Sequence, residues 1–246
     1  MKRDRIIVTI GAVFIAILLF IIWLLASSSF VVASPIASVK ALCSGFTEGW
    51  IYPHLKSTLT VLLITYIISF IIGVGGGVIL GISSFLREVF EGIILSLYAV
   101  PKIILYPVLL SLFGIGRTTL IVMGVIHAVF PLLINTMTGI KDMSKTYIKV
   151  GKSYNANSFQ MLRKIYLPAI SLPLVTGLKM ACSLGIIGVI LGEIFASKEG
   201  MGQIIMRSYA LMEIDRMYGL ILLLFLLAFM INILFWRLER RLKKVF

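Results

Sequence analysis

Four ionisable residues lie within long apolar runs of this 246-residue sequence: Lys102, His127, Lys179 and Glu193. A charge inside a membrane is costly, so such residues usually face protein or a water-filled path. The two lysines favour an anionic solute, unless their long side chains reach out to the membrane surface. For His127, the alternatives are a hydrogen bond to a neighbouring helix and a contact with solute. Lys102, His127 and Glu193 are therefore candidate functional residues within these runs; in a transporter they would line the translocation path or its gate.

No catalytic pattern accompanies these residues. The sequence has no Ser-His-Asp order, no His-Glu-x-x-His and no Walker phosphate loop. The glycine-rich stretch "GVGGGVILGIS" (residues 73–83) lacks Gly-Lys-Ser/Thr and lies inside an apolar run. Cys43 and Cys182 are far apart in sequence, so neither a disulfide framework nor a metal-ligand spacing exists. We expect no cofactor and no enzymatic activity on this chain alone.

The composition places the chain in a membrane. It is 60% hydrophobic and 13% charged, with a mean hydropathy of +1.08. A soluble domain is about half apolar, so this chain could not bury its apolar surface in one aqueous core. The net charge of +13 would suggest nucleic-acid binding in a soluble protein. Here topology explains the charge, and we expect a lipid bilayer and no nucleic acid.

Six apolar runs are long enough to cross about 30 Å of hydrocarbon as helices. The first is longer than the roughly 7–15-residue core of a cleaved signal peptide, so we expect it to remain as a helix. Prolines at positions 101 and 107 should kink the third. The predicted spans are Ile6–Ala26, Ser57–Ile82, Gly92–Phe113, Thr118–Thr138, Ser171–Phe195 and Met217–Trp236.

Six spans put both termini on one side of the membrane, and the basic residues decide which side. Fifteen of the 23 lysines and arginines fall on the side of the termini, six on the other side and two within spans. The side with more Lys and Arg faces the cytoplasm. We therefore expect a multi-pass protein of the cytoplasmic membrane with both termini inside. Lys152 should be cytoplasmic and Glu48 outside.

The second span contains Gly73, Gly77 and Gly81, two consecutive small-xxx-small steps on one helix face. Side chains missing at this spacing allow another helix to approach closely. The contact could be ordinary packing within one bundle, or a mobile or dimer-forming helix contact.

A basic island lies in the longest predicted cytoplasmic connection, residues 139–170. Its segment "KVGKSYNANSFQMLRKIYLP" (residues 149–168) has four basic residues, two asparagines and no acid. Apolar residues recur in it at steps of three and four, which predicts a short amphipathic helix through Phe159, Leu162, Ile165 and Tyr166. Pro168 should end this helix and bias Leu167 toward an extended conformation. Such a helix could also be a lipid-facing anchor.

The island resembles a signature of the membrane subunits of bacterial ATP-binding cassette (ABC) importers: Glu-Ala-Ala, three residues, Gly, nine residues, Ile-x-Leu-Pro. This chain has Lys149-Val150-Gly151, three residues, Asn155, nine residues, then Ile165-Tyr166-Leu167-Pro168. Three further stretches resemble the nitrate, sulfonate and taurine importer permeases. They are "AVPKIILYPVLLSLFGIG" (99–116), "FPLLINTMTGI" (130–140) and "GVILGEIFASKEGMG" (188–202). The resemblance covers about residues 57–236.

The resemblance implies a pair of short cytoplasmic coupling helices between spans four and five, docked on an ABC ATPase subunit. The implied contact residues are Lys149, Gly151, Asn155, Ala156, Phe159, Ile165, Leu167 and Pro168. It also implies a second permease copy, an extracytoplasmic substrate-binding protein and alternating access for a small, anionic solute. Residues 1–56 would form the first helix and an extracytoplasmic loop, and residues 57–246 the type-1 permease core.

Several positions depart from the family pattern. The family Gly sits at the bend between the coupling helices, and Asn155 tolerates the positive φ expected there. Gly151 in place of Ala loosens the first helix by up to about 1 kcal/mol. Lys149 reverses the charge of the family Glu. Either the ATPase carries a compensating acid, or the contact is weaker, or the chain pairs with a different permease; we expect a homodimer.

The family often has a Glu at the position of Glu193, followed by a Gly-Leu-Gly turn that Gly200-Met201-Gly202 matches here. The resemblance implies that Glu193 closes an outer gate or fixes the end of its helix. The alternative is a helix-end carboxylate that reaches the membrane interface.

Two other classes of function stay open. A secondary transporter driven by an ion gradient would need an inverted repeat with discontinuous helices, and the sequence shows no such symmetry. A membrane-anchored interaction protein would need neither the island nor polar and small residues in so many spans. A neighbouring reading frame for a Walker-type ATPase would favour the importer over both.

Overall fold

The computed structural model describes residues 2–27 and 31–243, so Lys244 of the predicted basic tail lies outside the described residues. The described part is helical and contains no strand. Its helices are α1 (Lys2–Ala26), α2 (Pro35–Thr47), α3 (Ile51–Ile82), α4 (Ser84–Ala99), α5 (Tyr106–Phe113), α6 (Arg117–Lys141), α7 (Lys145–Ser153), α8 (Ser158–Met161), α9 (Leu167–Ala169), α10 (Ser171–Ala196), α11 (Met201–Ala210) and α12 (Ile214–Leu242).

Four of the described helices, α3, α6, α10 and α12, are long and apolar enough to cross a membrane. The pair α4 and α5 makes a fifth candidate span if it is counted as one bent element. The prediction of an all-α membrane protein is therefore confirmed. The first predicted span, Ile6–Ala26, lies within α1, and the count of six spans stays a prediction.

The third predicted span is broken rather than gently kinked. α4 ends at Ala99, a 3₁₀ turn follows at Lys102–Leu105, and the two halves meet at 85°. Val100 is extended, with φ −64° and ψ 131°. The cause is Pro101, whose ring disfavours the helical conformation of the residue before it. The span also starts earlier than predicted, because the serine side chain at position 83 caps α4.

α3 and α6 pack in parallel along the glycine face of α3. A Cβ atom on Gly73 would lie 2.7 Å from Leu132 Cβ, and one on Gly77 would lie 2.6 Å from Thr136 Cβ. A Cβ on Gly81 would lie 2.8 Å from Ile140 Cβ, so this contact also requires glycine. The three glycines therefore face a helix of the same bundle. Since α3 and α6 run in the same direction, the broken segment between them must return across the bundle.

α10 runs antiparallel to α6 on its other side. Gly177 faces α6 near residues 131–135, Gly188 faces residues 123–127 and Gly192 faces Leu120. The bundle therefore has two ends. At one end, the junction end, α3 and α6 begin and α10 finishes. At the other, the short-helix end, α6 finishes, α10 begins, and α7–α9 lie between them.

Two helices were not predicted, α2 and α11, and both lie near the junction end. α2 packs against α12, where a Cβ on Gly219 would lie 2.6 Å from the Ser38 carbonyl oxygen. α3 begins at Ile51 rather than Ser57, so the predicted boundary between residues 56 and 57 falls inside α3. Both helices are shorter than a membrane span, which is why a search for apolar length missed them.

Candidate functional site

The short-helix segment, residues 145–169, turns at Asn155. This residue has φ +50°, the left-handed conformation that the family resemblance implies at this position. The Ala156 N–H donates to the Gly151 carbonyl at 3.1 Å, and the Asn155 N–H donates to the Lys152 carbonyl at 3.0 Å. These two bonds form a Schellman motif, which satisfies the last carbonyls of α7. The bend is therefore a regular helix C-terminus with Asn where Gly is most common.

The second half of the segment starts with a capping box. Asn157 Oδ1 accepts from the Gln160 N–H at 2.8 Å, and Gln160 Oε1 accepts from the Asn157 N–H at 3.0 Å. α7 then packs on this second half at Gly151, where an added Cβ would overlap the far ends of Ile165 and Met161. Glycine at this position thus lets the two halves approach.

The prediction for Pro168 is wrong. Leu167 is helical, with φ −60° and ψ −44°, and Pro168 lies in the first turn of α9 instead of ending a helix. The turn before it, Leu162–Tyr166, is a π-helix in which the Leu167 N–H donates to the Leu162 carbonyl. This wider turn makes room for the proline ring, and the first turn of a helix does not need the N–H that proline lacks.

The short-helix segment has one anchored face and one exposed face. Its anchored residues, Met161 and Tyr166, pack together with the following Ile170 on Ile140 of α6. Of the four residues predicted on this apolar face, Tyr166 is buried, but Phe159 is 66% exposed, and Met161 points inward from α8 in its place. The exposed face carries the large side chains Tyr147, Val150, Tyr154 and Phe159. Lys149 is also exposed, and Ala156 and Ile165 are half-buried.

At the junction end, Glu193 is completely buried. Its Oε1 accepts a hydrogen bond from Thr58 Oγ1 at 2.7 Å, and its Oε2 accepts one from the Gly202 N–H at 2.8 Å. Thr58 Oγ1 also accepts from the Met201 N–H at 2.8 Å. One carboxylate thereby joins α3, α10 and α11. The alternative of a carboxylate reaching the membrane interface is wrong, because this side chain has no exposed surface.

The glycines that follow Glu193 allow this arrangement. Gly200 has φ +122°, and a Cβ there would overlap the Glu193 carboxylate. A Cβ on Gly202 would lie 2.5 Å from the Ile190 carbonyl oxygen. The first N–H groups of a helix have no partner within the helix and attract negative charge. Glu193 and Thr58 supply acceptors for two such groups of α11.

His54 completes this cluster, which we call the polar junction: His54, Thr58, Glu193, Gly200, Met201 and Gly202. The Gly200 N–H donates to His54 Nδ1 at 3.2 Å. The sequence reading missed His54 and Thr58. Thr58 is 135 residues from Glu193, and its place at the start of an apolar run gave no signal of this contact. The Gly-x-Gly spacing after Glu193 was the available sign.

His127 is buried between α6 and α10. Its Nδ1 is 2.8 Å from the Met123 carbonyl oxygen, an acceptor on its own helix and not on a neighbouring one. The ring instead packs against Gly188 of α10, where an added Cβ would lie 2.8 Å from Nδ1. The carbonyl one helical turn earlier is the nearest acceptor, and glycine makes the space for the ring.

Lys102 caps the broken span. Its Nζ donates to the Tyr98 carbonyl at 2.6 Å and to the Val100 carbonyl at 3.3 Å. It also lies 4.9 Å from the centre of the Tyr98 ring and 5.4 Å from that of Phe130. A lysine is favourable at the negative end of a helix dipole. Within the described residues, no hydrogen bond or ion pair links Lys102, His127 and Glu193 into one site.

The sequence matches a known family over most of its length. Residues 73–244, more than two thirds of the chain, match the family described as binding-protein-dependent transport system inner membrane component. The chain belongs to this family. The matched region contains the short-helix segment, Glu193 and the Gly200–Gly202 turn. His54 and Thr58 precede it.

Proteins similar to this chain are named as permease proteins of transport systems. The taurine transport system permease protein TauC of Escherichia coli is 24% identical over 198 residues, which are 80% of this chain and 72% of that protein. An ABC transporter permease protein of Haemophilus influenzae is 30% identical over 109 residues, 44% of each chain. An ABC transporter permease protein of Methanocaldococcus jannaschii is 28% identical over 119 residues, which are 48% of this chain and 45% of that protein. The chain thus aligns with less than half of these last two proteins.

The fold also matches solved structures. A chain of the MetNI methionine ABC transporter, in inward-facing conformations, superposes with a TM-score of 0.66 and 21% identity. The match covers 78% of this chain and 95% of that one. At this identity the likeness establishes the fold alone.

Proposed function

We propose that this chain is the transmembrane subunit of an ATP-driven importer, which moves a small anionic solute across the cytoplasmic membrane by alternating access. The observation that carries the proposal is the short-helix segment, with Asn155 in the left-handed conformation at the family spacing. Membership of the inner membrane component family supports it. The work of such a subunit is conformational, and this chain performs no covalent step.

The proposed partner at the short-helix end is an ABC ATPase subunit. The exposed aromatic side chains Tyr147, Tyr154 and Phe159 offer it apolar contact area, and Lys149 offers a positive charge. Aromatic residues commonly anchor protein interfaces. The anchored face, through Tyr166 and Ile140, would pass a displacement of this surface to α6 and α10. A second copy of this chain and an extracytoplasmic binding protein complete the proposed importer.

The proposed solute is a sulfonate or a similar small anion. TauC, named for taurine transport, aligns over 80% of this chain, and a relative from Bacillus subtilis named for aliphatic sulfonates aligns over 53%. Lys102 does not carry this proposal, because its ammonium is held by backbone carbonyls and two aromatic rings. Another relative is named for choline, a cation, so charge is the property to test.

Uptake by a reconstituted complex tests the function. The chain would be co-expressed with the ATPase and binding protein encoded beside it and placed in proteoliposomes. We expect taurine uptake that needs ATP, persists when ion gradients are collapsed, and is inhibited by methanesulfonate but not by choline. Uptake by this chain alone, driven by a proton or sodium gradient, would instead support the secondary transporter. ATP-driven uptake inhibited by choline alone would retain the importer and reject the anionic solute.

The proposed orientation has a direct test in cysteine labelling. Cys43 is exposed on α2, which lies near the junction end, and should react with a membrane-impermeant maleimide from outside intact cells. In a Cys43→Ser background, Lys152→Cys should react only after the membrane is permeabilised. Labelling of position 152 from outside would overturn the six-span topology.

A further inference from the structure

A cavity of about 210 Å³ lies at the junction end, between the start of α3, α11 and the start of α12. Its wall includes Ile204, Arg207, Ser208 and Leu211, which share one face of α11 and its C-terminal turn. Trp50, just before α3, and His54 in the first turn of α3 face the cavity, and the pair Glu213 and Arg216 closes it at the start of α12. Nothing in the transport proposal above uses this cavity.

The polar groups around the cavity are mostly hydrogen-bond donors. His54 Nδ1 accepts the Gly200 N–H, so in the neutral ring the proton is on Nε2, which is a donor. Arg207 has no carboxylate within ion-pair distance among the described residues. Ser208 is only 2% exposed and lies in the cavity wall, and its hydroxyl can donate a hydrogen bond.

The charge of the cavity is positive. Glu213 lies in the wall but is paired with Arg216 at 3.0 Å, and the Arg216 guanidinium lies 5.1 Å from the centre of the Trp50 ring. Arg207 then remains as a cation without an ion-pair partner among the described residues, and the Glu199 carboxylate, which acts on His54, lies outside the cavity wall. The Trp50 indole N–H is also buried without a partner among the described residues. A cation would meet the Arg207 guanidinium, and an apolar solute would leave these donors unpaired.

We propose that this cavity binds a single oxyanion group, a carboxylate or sulfonate, with Arg207 as its main ligand and with His54 and Ser208 as hydrogen-bond donors. Arg presents paired N–H groups that match such an anion. The cavity is smaller than the roughly 300–1,000 Å³ typical of sites for whole drug-sized ligands, which favours a headgroup-sized anion.

Through His54 this site borders the polar junction. The same imidazole that faces the cavity accepts the Gly200 N–H, and Gly200 lies against the Glu193 carboxylate. A bound anion would therefore contact His54, which is hydrogen-bonded to Gly200, and Gly200 lies against the Glu193 carboxylate that joins α3, α10 and α11. The inference deepens the proposed function, because it gives an anionic solute a contact on the face proposed to be extracytoplasmic.

The chain has three tryptophans, and one of them lines the cavity, which provides a spectroscopic test. The full chain, labelled with 5-fluorotryptophan in lipid nanodiscs, would be titrated with methanesulfonate against sodium chloride at constant ionic strength. Tryptophan-to-phenylalanine variants assign the three ¹⁹F resonances. We expect a saturable shift of the Trp50 resonance, while the resonances of Trp23 and Trp236 stay in place.

Arg207→Gln should raise the half-saturation concentration of methanesulfonate at least tenfold, and Arg207→Lys should raise it less. Lys198→Gln is the matched control, because it removes an exposed cation at the same end outside this cavity and should bind as wild type. Unchanged Trp23 and Trp236 resonances certify that each variant is folded.

Three outcomes overturn the proposal: no saturable shift at Trp50, an equal shift in Arg207→Gln, or an equal shift with choline chloride. A Trp50 shift on adding the binding protein, but none with methanesulfonate, would also overturn it and assign the cavity to protein docking. The titration needs neither ATP nor a partner. Its failure is therefore distinguishable from failure of the uptake experiment.

Discussion

The polar junction and the short-helix segment each depend on a residue in the left-handed region, but they use it differently. At the junction, Gly200 has φ +122° and brings the backbone against a fully buried carboxylate. In the short-helix segment, Asn155 has φ +50° at an exposed bend. The junction is held by contacts between distant parts of the chain, whereas the bend is held by hydrogen bonds within residues 151–160.

The difference separates a fixed contact from an available one. Around Glu193, buried donors and acceptors are paired with each other, so the contact of this carboxylate needs no other molecule to complete it. The short-helix segment also satisfies its backbone locally, yet it leaves Tyr154 83% exposed and Phe159 66% exposed. Exposed apolar patches of this kind mark interaction sites. Variants at the junction should therefore change stability, and variants at the bend should change coupling to a partner.

The largest effect is expected from Glu193→Ala. This variant leaves the Thr58 hydroxyl and the Gly202 N–H without an acceptor, at about 1–3 kcal/mol for each unsatisfied group, and it adds a cavity. We expect a large fall in thermal stability, measured as the temperature at which half of the protein leaves the monodisperse peak in size-exclusion chromatography. Glu193→Gln keeps one acceptor oxygen, so its thermal stability should lie between those of the wild type and Glu193→Ala.

Glu199→Ala is the control for this prediction, since it removes an exposed carboxylate six residues along the chain. It should melt as wild type does. Equal melting of the variants at positions 193 and 199 would show that the buried contact does not hold the junction together.

A smaller loss is expected from Gly77→Ala. The new Cβ would lie 2.6 Å from Thr136 Cβ and 2.8 Å from the Leu133 carbonyl oxygen, so α3 and α6 must separate. Overpacking of this kind costs about 1–3 kcal/mol. Gly75→Ala is the matched control, because an added Cβ there meets nothing within 4 Å and alanine favours the helix. In the same assay, the melting temperature of Gly77→Ala should fall, and that of Gly75→Ala should stay unchanged or rise slightly. The reverse order would contradict the parallel packing of α3 and α6.

Asn155→Val should act on coupling instead of on the bundle. A β-branched residue resists the left-handed conformation by about 1–2 kcal/mol, whereas Asn155→Gly accepts it freely. At equal abundance in the membrane, we expect the Val variant to lose ATPase co-purification and stimulated ATP hydrolysis, and the Gly variant to retain both. If the Val variant couples as well as the wild type, the bend does not transmit the partner's movement.

The smallest effect is expected from Gly151→Ala, which restores the residue type of the family pattern. Alanine gains up to about 1 kcal/mol of helix propensity over glycine. Its Cβ meets only the flexible ends of Ile165 and Met161, which can move aside at a cost of similar size. The melting temperature should therefore stay near that of wild type. A fall as large as that of Gly77→Ala would show that the two halves of the segment are packed rigidly.

Properties that depend on neighbouring residues were predictable from the sequence. Apolar length located α3, α6, α10 and α12, and six of their eight ends lie within three residues of the prediction. An apolar helix of that length satisfies its own backbone in lipid. The bend at Asn155 followed from the resemblance to the importer signature, which places a Gly at this position, and asparagine tolerates the conformation that Gly adopts there. The break at Pro101 was foreseen as a kink, since proline acts on the residue before it.

Only the tertiary structure decided which groups meet. His127 forms a hydrogen bond within its own helix, and Gly188 of α10 leaves the space for its ring. Pro168 continues a helix, because the π-turn before it makes room for the proline ring. The partner of Glu193, Thr58, comes from a helix 135 residues earlier, and no local pattern records that distance. A hydrogen bond in an apolar medium goes to whichever donor the packing brings within 3 Å. That choice depends on the order and direction of the helices in the bundle, which the apolar lengths alone do not specify.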